Sequence, residues 1–172
     1  LIALSGCNEI SQLSPFAPSE IETLRSWYRT FSLKDAEAIK RIEQETKHDL
    51  KAVEYFLRQK CSENNLKGVI SFIHFGLTSE DVNNLAHSLA LKQALKHTYL
   101  PSLNSLLNEL KHFSIQEKNT PLLGLTHGQS ATPTSLGKEF AVFFIRLKRQ
   151  MLKLKTISLQ GKLNGATGTW SA

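Results

Sequence analysis

Residues 126–133, Thr-His-Gly-Gln-Ser-Ala-Thr-Pro, place a histidine among hydroxyl and amide groups in a polar, helix-breaking stretch between two amphipathic segments. Histidine titrates near neutrality, so His127 can give or take a proton in a transition state. Gly128 permits a tight turn beside it. Thr126, Gln129 and Thr132 carry groups that can hold a carboxylate or position a ring nitrogen. The competing reading is structural, with His127 knitting a loop to the core. A second cluster, His74-Phe-Gly-Leu-Thr78-Ser79-Glu80-Asp81, precedes the first amphipathic segment. With Thr78 as N-cap, the N–H groups of the next turn face the helix entrance and favour an anion. Glu80 and Asp81 lie in that turn and already answer the helix dipole, so simple capping is at least as strong a reading for Asp81. Thr78 and Ser79 are the better ligand candidates.

A third polar point is His48-Asp49, near Lys47 and Lys51. Its aspartate could orient the imidazole or bind a ribose hydroxyl; on the residues alone, a surface helix start is the favoured reading. His87, His97 and His112 fall within a helical pattern and read as helix side chains. No His-Glu-x-x-His spacing and no cysteine cluster occurs, so no metal centre is expected. A histidine beside hydroxyls and amides at two helix entrances suits an enzyme handling a small anion better than a plain scaffold.

These groups need elements to hold them. Ser19 with Glu22, Ser32 with Asp35, and Thr78 with Asp81 have the spacing of capping boxes. They predict helices over about 19–30 and 33–46 and one opening after 78, and a further helix is expected over about 49–62. In that helix Leu50, Val53, Phe56 and Leu57 share a face, with Glu54 and Arg58 paired across one turn outside it. Residues 66–75 are a short apolar piece of undecided state ending at Gly76. After Thr78, the apolar positions Val82, Leu85, Leu89, Leu95, Tyr99, Leu103, Leu106, Leu110 and Phe113 fall mostly three or four apart, a helical stripe. Nearly 40 such residues span roughly 55 Å, which implies a bundle, with a bend or interruption at Pro101. Residues 122–134 read as a polar loop. Ser135 caps a second long helix with Leu136, Phe140, Phe143, Leu147, Met151, Leu154 and Ile157 on its buried stripe. Gly161, Gly165 and Gly168 then open a loop that matches neither a P-loop nor a Rossmann turn.

Composition sets outer bounds. The 172 residues are 41% apolar and 21% charged, with a net charge of +6. A basic balance draws anions, but no zinc-finger spacing, aromatic RNA-binding strand or basic arm points to nucleic acid. No apolar run approaches a membrane span. Leu1–Cys7 is too short for a signal core with its flanks and is expected to be loop or strand. Two cysteines make no disulfide framework, and a cytoplasmic location is the default. The end, Trp170-Ser171-Ala172, follows the glycine-rich run, and the chain is expected to be a piece of a longer protein.

Three islands, "KHDLKAVEYFL" (47–57), "FIHFGLTSEDVNNLAHSL" (72–89) and "LLGLTHGQSATPTSLGKE" (122–139), with "GKLNGATG" (161–168), carry a resemblance. The chain resembles the adenylosuccinate lyases, in the longer bacterial branch of the fumarase/aspartase superfamily, from about residue 35 onward. The resemblance implies an all-α fold: an N-terminal helical domain, here residues 1–76, leading into a central bundle of long helices begun by residues 77–172. It implies a homotetramer with active sites shared between subunits, and a cofactor-free β-elimination of fumarate from a succinylated purine nucleotide. By residue, it makes His127 the general acid and His74 a second active-site histidine that orients the substrate and its phosphate. Thr78 and Ser79 would contact the succinyl portion, Thr126 and Gln129 would be polar contacts of the histidine loop, His48 and Asp49 would bind the nucleotide, and Asn164 would line a neighbouring part of the site. Lys47 stands where resembling sequences commonly have Asn, and Ser130 where Pro is frequent. The family's general base, a serine on a mobile loop with a Met-Pro-x-Lys-x-Asn-type sequence, has no counterpart in these residues, so the chain alone is expected to be inactive. The rival readings are argininosuccinate lyase or another superfamily lyase, and a non-catalytic helical module.

Overall fold

A computed structural model describes residues 1–169; the Trp170–Ala172 end lies outside the described residues. The chain forms two compact units, one of residues 1–83 with the described residues from 163 onward, the other of residues 84–162.

The first unit opens with α1 (Ile2–Ser5), a single helical turn where loop or strand was expected. Its Ala and Leu residues favour helix, and Ser5 Oγ donates to the Ile2 carbonyl at 2.9 Å. Helix α2 (Pro18–Arg29) begins earlier than the Ser19–Glu22 spacing predicts. Pro18 takes the first helical position, where its missing N–H costs nothing. Glu20 then accepts from the Ala17 N–H at 2.7 Å, and Glu22 pairs with Arg29.

Helix α3 (Leu33–Thr46) follows the sequence reading: Ser32 Oγ accepts from the Asp35 N–H, and Asp35 accepts in return from the Ser32 N–H at 2.9 Å. Only Lys47 and His48 separate it from α4 (Asp49–Glu63). The two helices pack together, and Lys60 of α4 reaches Asp35 of α3 at 3.6 Å. Leu50, Ala52, Phe56 and Cys61 of α4 are buried, as are Leu13 and Leu66. The undecided piece contains a 3₁₀ turn over Lys67–Phe72.

Glu54 departs from expectation. It pairs with Arg58 at 2.9 Å, as its spacing predicts, but it is buried rather than outside the packed face. Lys51 supplies a second bond at 2.8 Å. Two donors on one helix, one turn either side, let the carboxylate be buried without being unpaired.

Helix α5 (Ser79–Ala94) starts in the first unit. A π-turn at Leu95–Tyr99 follows, then α6 (Leu100–Gln116). The π-turn sits just ahead of Pro101, whose ring crowds the carbonyl four residues back and whose nitrogen cannot donate. The expected interruption is therefore a widened turn.

Residues 122–134 are not a loop. Strands β1 (Pro121–Thr126) and β2 (Gln129–Ser135) form an antiparallel hairpin, with Thr126 opposite Gln129 and Pro121 opposite Ser135. His127 and Gly128 both have positive φ, 53° and 73°, as a two-residue turn matched to strand twist requires. The ladder shifts register between Leu123 and Leu125. There a Cβ on Gly124 would lie 2.7 Å from the Thr132 carbonyl oxygen, so only glycine fits.

Helix α7 (Leu136–Thr156) is capped by Ser135 Oγ, which accepts from the Lys138 N–H at 3.3 Å, as expected. It packs on α6. The Phe113 and Phe140 rings stack at 5.5 Å, and the Gly137 N–H donates to the Glu117 carbonyl at 2.9 Å. The predicted apolar stripes are only partly covered. Met151 and Leu107 are buried, the latter off the predicted stripe, while Leu85, Leu89, Leu106 and Phe143 stay exposed. A helix pair has one mutual face, and an apolar stripe about 100° wide is broader than that.

Burial pushes the Glu54 carboxyl up, but the hydrogen bonds and charges of Lys51 and Arg58 outweigh it and hold it below its ordinary value of 4.5. A depressed carboxyl contributes stability above that value and loses it as pH falls through the lowered folded value. Glu54→Gln is expected to flatten the loss of stability as pH falls below 4.5 in urea titrations. An unchanged acid limb would contradict this.

Candidate active site

The polar residues of the first unit gather where two helices begin. His48 is the N-cap of α4, and its Nδ1 accepts from the Lys51 N–H at 3.3 Å. Its Nε2 lies 3.4 Å from Ser79 Oγ in the first turn of α5. Asp49 Oδ1 accepts from the Leu50 N–H at 2.7 Å and lies 3.2 Å from His48 Nδ1. Asp49 Oδ2 accepts from Asn83 Nδ2 at 3.4 Å. The Leu50 N–H, opposed by desolvation and aided by Asn83 and His48, holds the Asp49 carboxyl below its usual value. Asp49 is therefore ionised at neutral pH.

Ser79, His48 and Asp49 have the connectivity of a nucleophilic triad but not its logic. In a triad the histidine's second nitrogen donates to the aspartate. Here Nδ1 also accepts the Lys51 N–H at 3.3 Å, so it is shared between that amide and Asp49. Which of His48 Nε2 and Ser79 Oγ donates to the other follows from the ring's tautomer.

Thr78 is held differently. Its N–H donates to Asp81 Oδ2 at 3.0 Å and its hydroxyl donates to the same oxygen at 2.9 Å. The other oxygen of Asp81 accepts from the Asn164 and Gly165 N–H groups at 3.0 and 3.1 Å. Asp81 is 1% exposed. Gly165 has φ +80°, and this left-handed step turns two successive amides toward one anion. Asn164 Oδ1 is buried with no hydrogen-bond partner among the described residues.

The structure thus brings His48, Asp49 and Ser79 together, and links Thr78 to Asn164 through Asp81. His74 is half-buried just ahead of this entrance. Thr126, His127 and Gln129 belong to the hairpin of the second unit, with exposed side chains at its turn. Sequence reasoning missed the linking role of Asp81 and the Asn83–Asp49 contact. The Thr78-x-x-Asp81 spacing was readable; the pairing with residues 164 and 165 leaves no local trace. Beside Asp49 and Asn83 the first unit has a groove of about 280 Å³ with Phe31, Ala36, Ile39 and Val53 on its wall.

Long helices with a polar cluster on the first turns of two of them place the chain in a known helical family. The family described as "Lyase" matches residues 3–172, and the chain belongs to it. A fumarate lyase from Mesorhizobium sp. BNC1 aligns over 98% of this chain and 38% of its own at a TM-score of 0.73 and 23% identity. The 3-carboxy-cis,cis-muconate lactonizing enzyme of Pseudomonas putida aligns over 89% of this chain and 35% of its own at 0.70 and 22%. The fold is therefore the expected fumarase/aspartase-like, mainly helical one, and in this chain it includes the two-stranded hairpin. Within the family, the chain is 44% identical over 98% of its length to an adenylosuccinate lyase of Buchnera aphidicola subsp. Schizaphis graminum, covering 37% of that protein. It is likewise 44% identical over 95% of its length to the adenylosuccinate lyase of Escherichia coli K12, covering 36% of it. The chain spans little more than a third of the length of these curated relatives.

The α3–α4 joint that presents His48 carries a cost. Lys47 sits at φ +54° as the C-cap of α3, a conformation that glycine and asparagine adopt more readily. Lys47→Asn is expected to raise stability by about 0.5–1 kcal/mol in chemical denaturation. A loss of stability would show that the Lys47 side chain contributes contacts that outweigh the backbone strain.

Proposed function

We propose that, at the full length of its relatives, this protein is a C–N lyase. It would eliminate fumarate from adenylosuccinate to give AMP, and from succinylaminoimidazole-carboxamide ribotide, in purine biosynthesis. The observation that carries this reading is 44% identity, over nearly the whole chain, to proteins named adenylosuccinate lyase. No cofactor is needed. A base removes a proton beside a carboxylate, charge builds on that carboxylate, and an acid protonates the departing nitrogen.

The site's geometry suits each part. Charge developing on a succinyl carboxylate meets the α5 entrance, where Ser79 has a hydroxyl proton to give and the helix dipole favours an anion. Thr78 stands beside it. His127, Thr126 and Gln129 form the acid-bearing hairpin, with His127 as proton donor. His74 orients substrate and phosphate, His48 and Asp49 take the nucleotide, and Asn164 lines the same region. The apolar groove beside Asp49 offers a wall for a flat heterocycle. Residues 1–76 are an N-terminal domain, and residues 77–172 begin the central bundle. Exposed Leu85, Leu89, Leu106 and Phe143 fit assembly into a homotetramer with shared sites. Among the described residues no helix is long and apolar enough to cross a membrane, which accords with a cytoplasmic enzyme.

Fumarate release followed by absorbance across a substrate panel tests this. Adenylosuccinate and succinylaminoimidazole-carboxamide ribotide should react; activity confined to argininosuccinate would overturn the choice. His127→Ala should lower turnover by roughly 10²–10⁴-fold with little change in melting temperature. His127→Asn, which tolerates the left-handed turn, serves as a folding control. Near-normal turnover in both would remove the acid role.

A further inference from the structure

Asp81 joins two segments of the first unit that lie more than 80 residues apart in sequence. Its oxygens accept two hydrogen bonds from Thr78 and one each from the amides of Asn164 and Gly165. In each of these bonds the Asp81 carboxylate is the acceptor and the partner the donor. The Thr78 hydroxyl proton must therefore point at Asp81 Oδ2, leaving the lone pairs of Thr78 Oγ1 turned the other way. The next residue is not committed in this way. Ser79 Oγ lies 3.4 Å from His48 Nε2, a contact in which either atom can donate, so its hydroxyl can turn to a bound carboxylate.

We propose that Asp81 is a positioning residue of this site. It fixes the Thr78 hydroxyl as an acceptor and ties the α5 entrance to the Asn164–Gly165 loop, so that both are presented to one substrate as a single piece. The inference rests on the reading of Thr78 and Ser79 as substrate contacts. It divides their work: a carboxylate can take a hydrogen bond from Ser79 but none from the committed Thr78 hydroxyl. Thr78 Oγ1 is left to receive a substrate N–H or a water. A neutral Asn at position 81 cannot serve both sets of donors, because its amide nitrogen must face either Thr78 or the loop amides.

The experiment is a double-mutant cycle on fumarate release by the protein at the full length of its relatives. Asp81→Asn and Thr78→Val should each lower kcat/KM by about 10- to 100-fold, and the double variant should fall within about threefold of the worse single one. In a Thr78→Ser background, which keeps the hydroxyl, the full effect of Asp81→Asn should return. Melting curves check that the variants fold. Hydrogen exchange reads the tie without turnover: Asp81→Asn should speed exchange of the Asn164 and Gly165 amides. Effects of the two substitutions that multiply, or exchange at both amides left unchanged, would overturn the positioning role alone. No fumarate from the unaltered protein with any succinylated purine nucleotide would overturn the functional reading and, with it, this role.

Discussion

A single buried carboxylate organises the candidate site. Leaving an ionised group in a protein interior is costly unless its lone pairs are filled. Asp81 meets that condition by drawing in Thr78 from one side and the Asn164–Gly165 backbone from the other. The same bonds therefore satisfy the charge and fix the geometry. Gly165 is left-handed because two neighbouring amides must turn to one oxygen. Thr78 has its hydroxyl polarity set for the same reason. Around this anchor, His48 performs two tasks at once, capping α4 with one nitrogen and facing Ser79 with the other.

The second unit shows a different economy. Glycines at 124 and 137 let backbone meet backbone where any side chain would intrude. The hairpin turn carries His127 in a left-handed conformation beside Gly128. A side chain at the tip of such a turn is positioned by the ladder behind it. That suits the proton-donor role proposed for His127.

Local signals in the sequence were reliable where the physics is local. Ser32 with Asp35, Thr78 with Asp81, and Ser135 as a cap all satisfy orphan backbone groups within one turn, so their spacing alone identifies them. The 3.6-residue period found the long helices, and Pro101 marked the π-turn. Failures began where a competing local rule or a distant partner decided. Pro18 moved the start of α2 past the Ser19 spacing. The hairpin reads as a loop in the sequence because its polar threonines and serines hide a strand pattern; His127-Gly128, flanked by residues that pair, is the available clue. Glu54 reads as lying outside the packed face because nothing in the sequence shows that two basic neighbours accompany it into burial. The apolar stripes of α5, α6 and α7 were read correctly as apolar and wrongly as covered. The pairings of Asp81 with Gly165 and of His48 with Ser79 join residues far apart in sequence, and no window-based reading can see them.

The most direct measurement is a crystal structure of the protein, at the full length of its relatives, with AMP and fumarate bound. The account predicts a fumarate carboxylate within about 3.2 Å of Ser79 Oγ, with Thr78 Oγ1 and the Asn164 and Gly165 amides still on Asp81. Fumarate bound away from residues 78–79, or an Asp81 side chain turned out toward solvent in that complex, would contradict it.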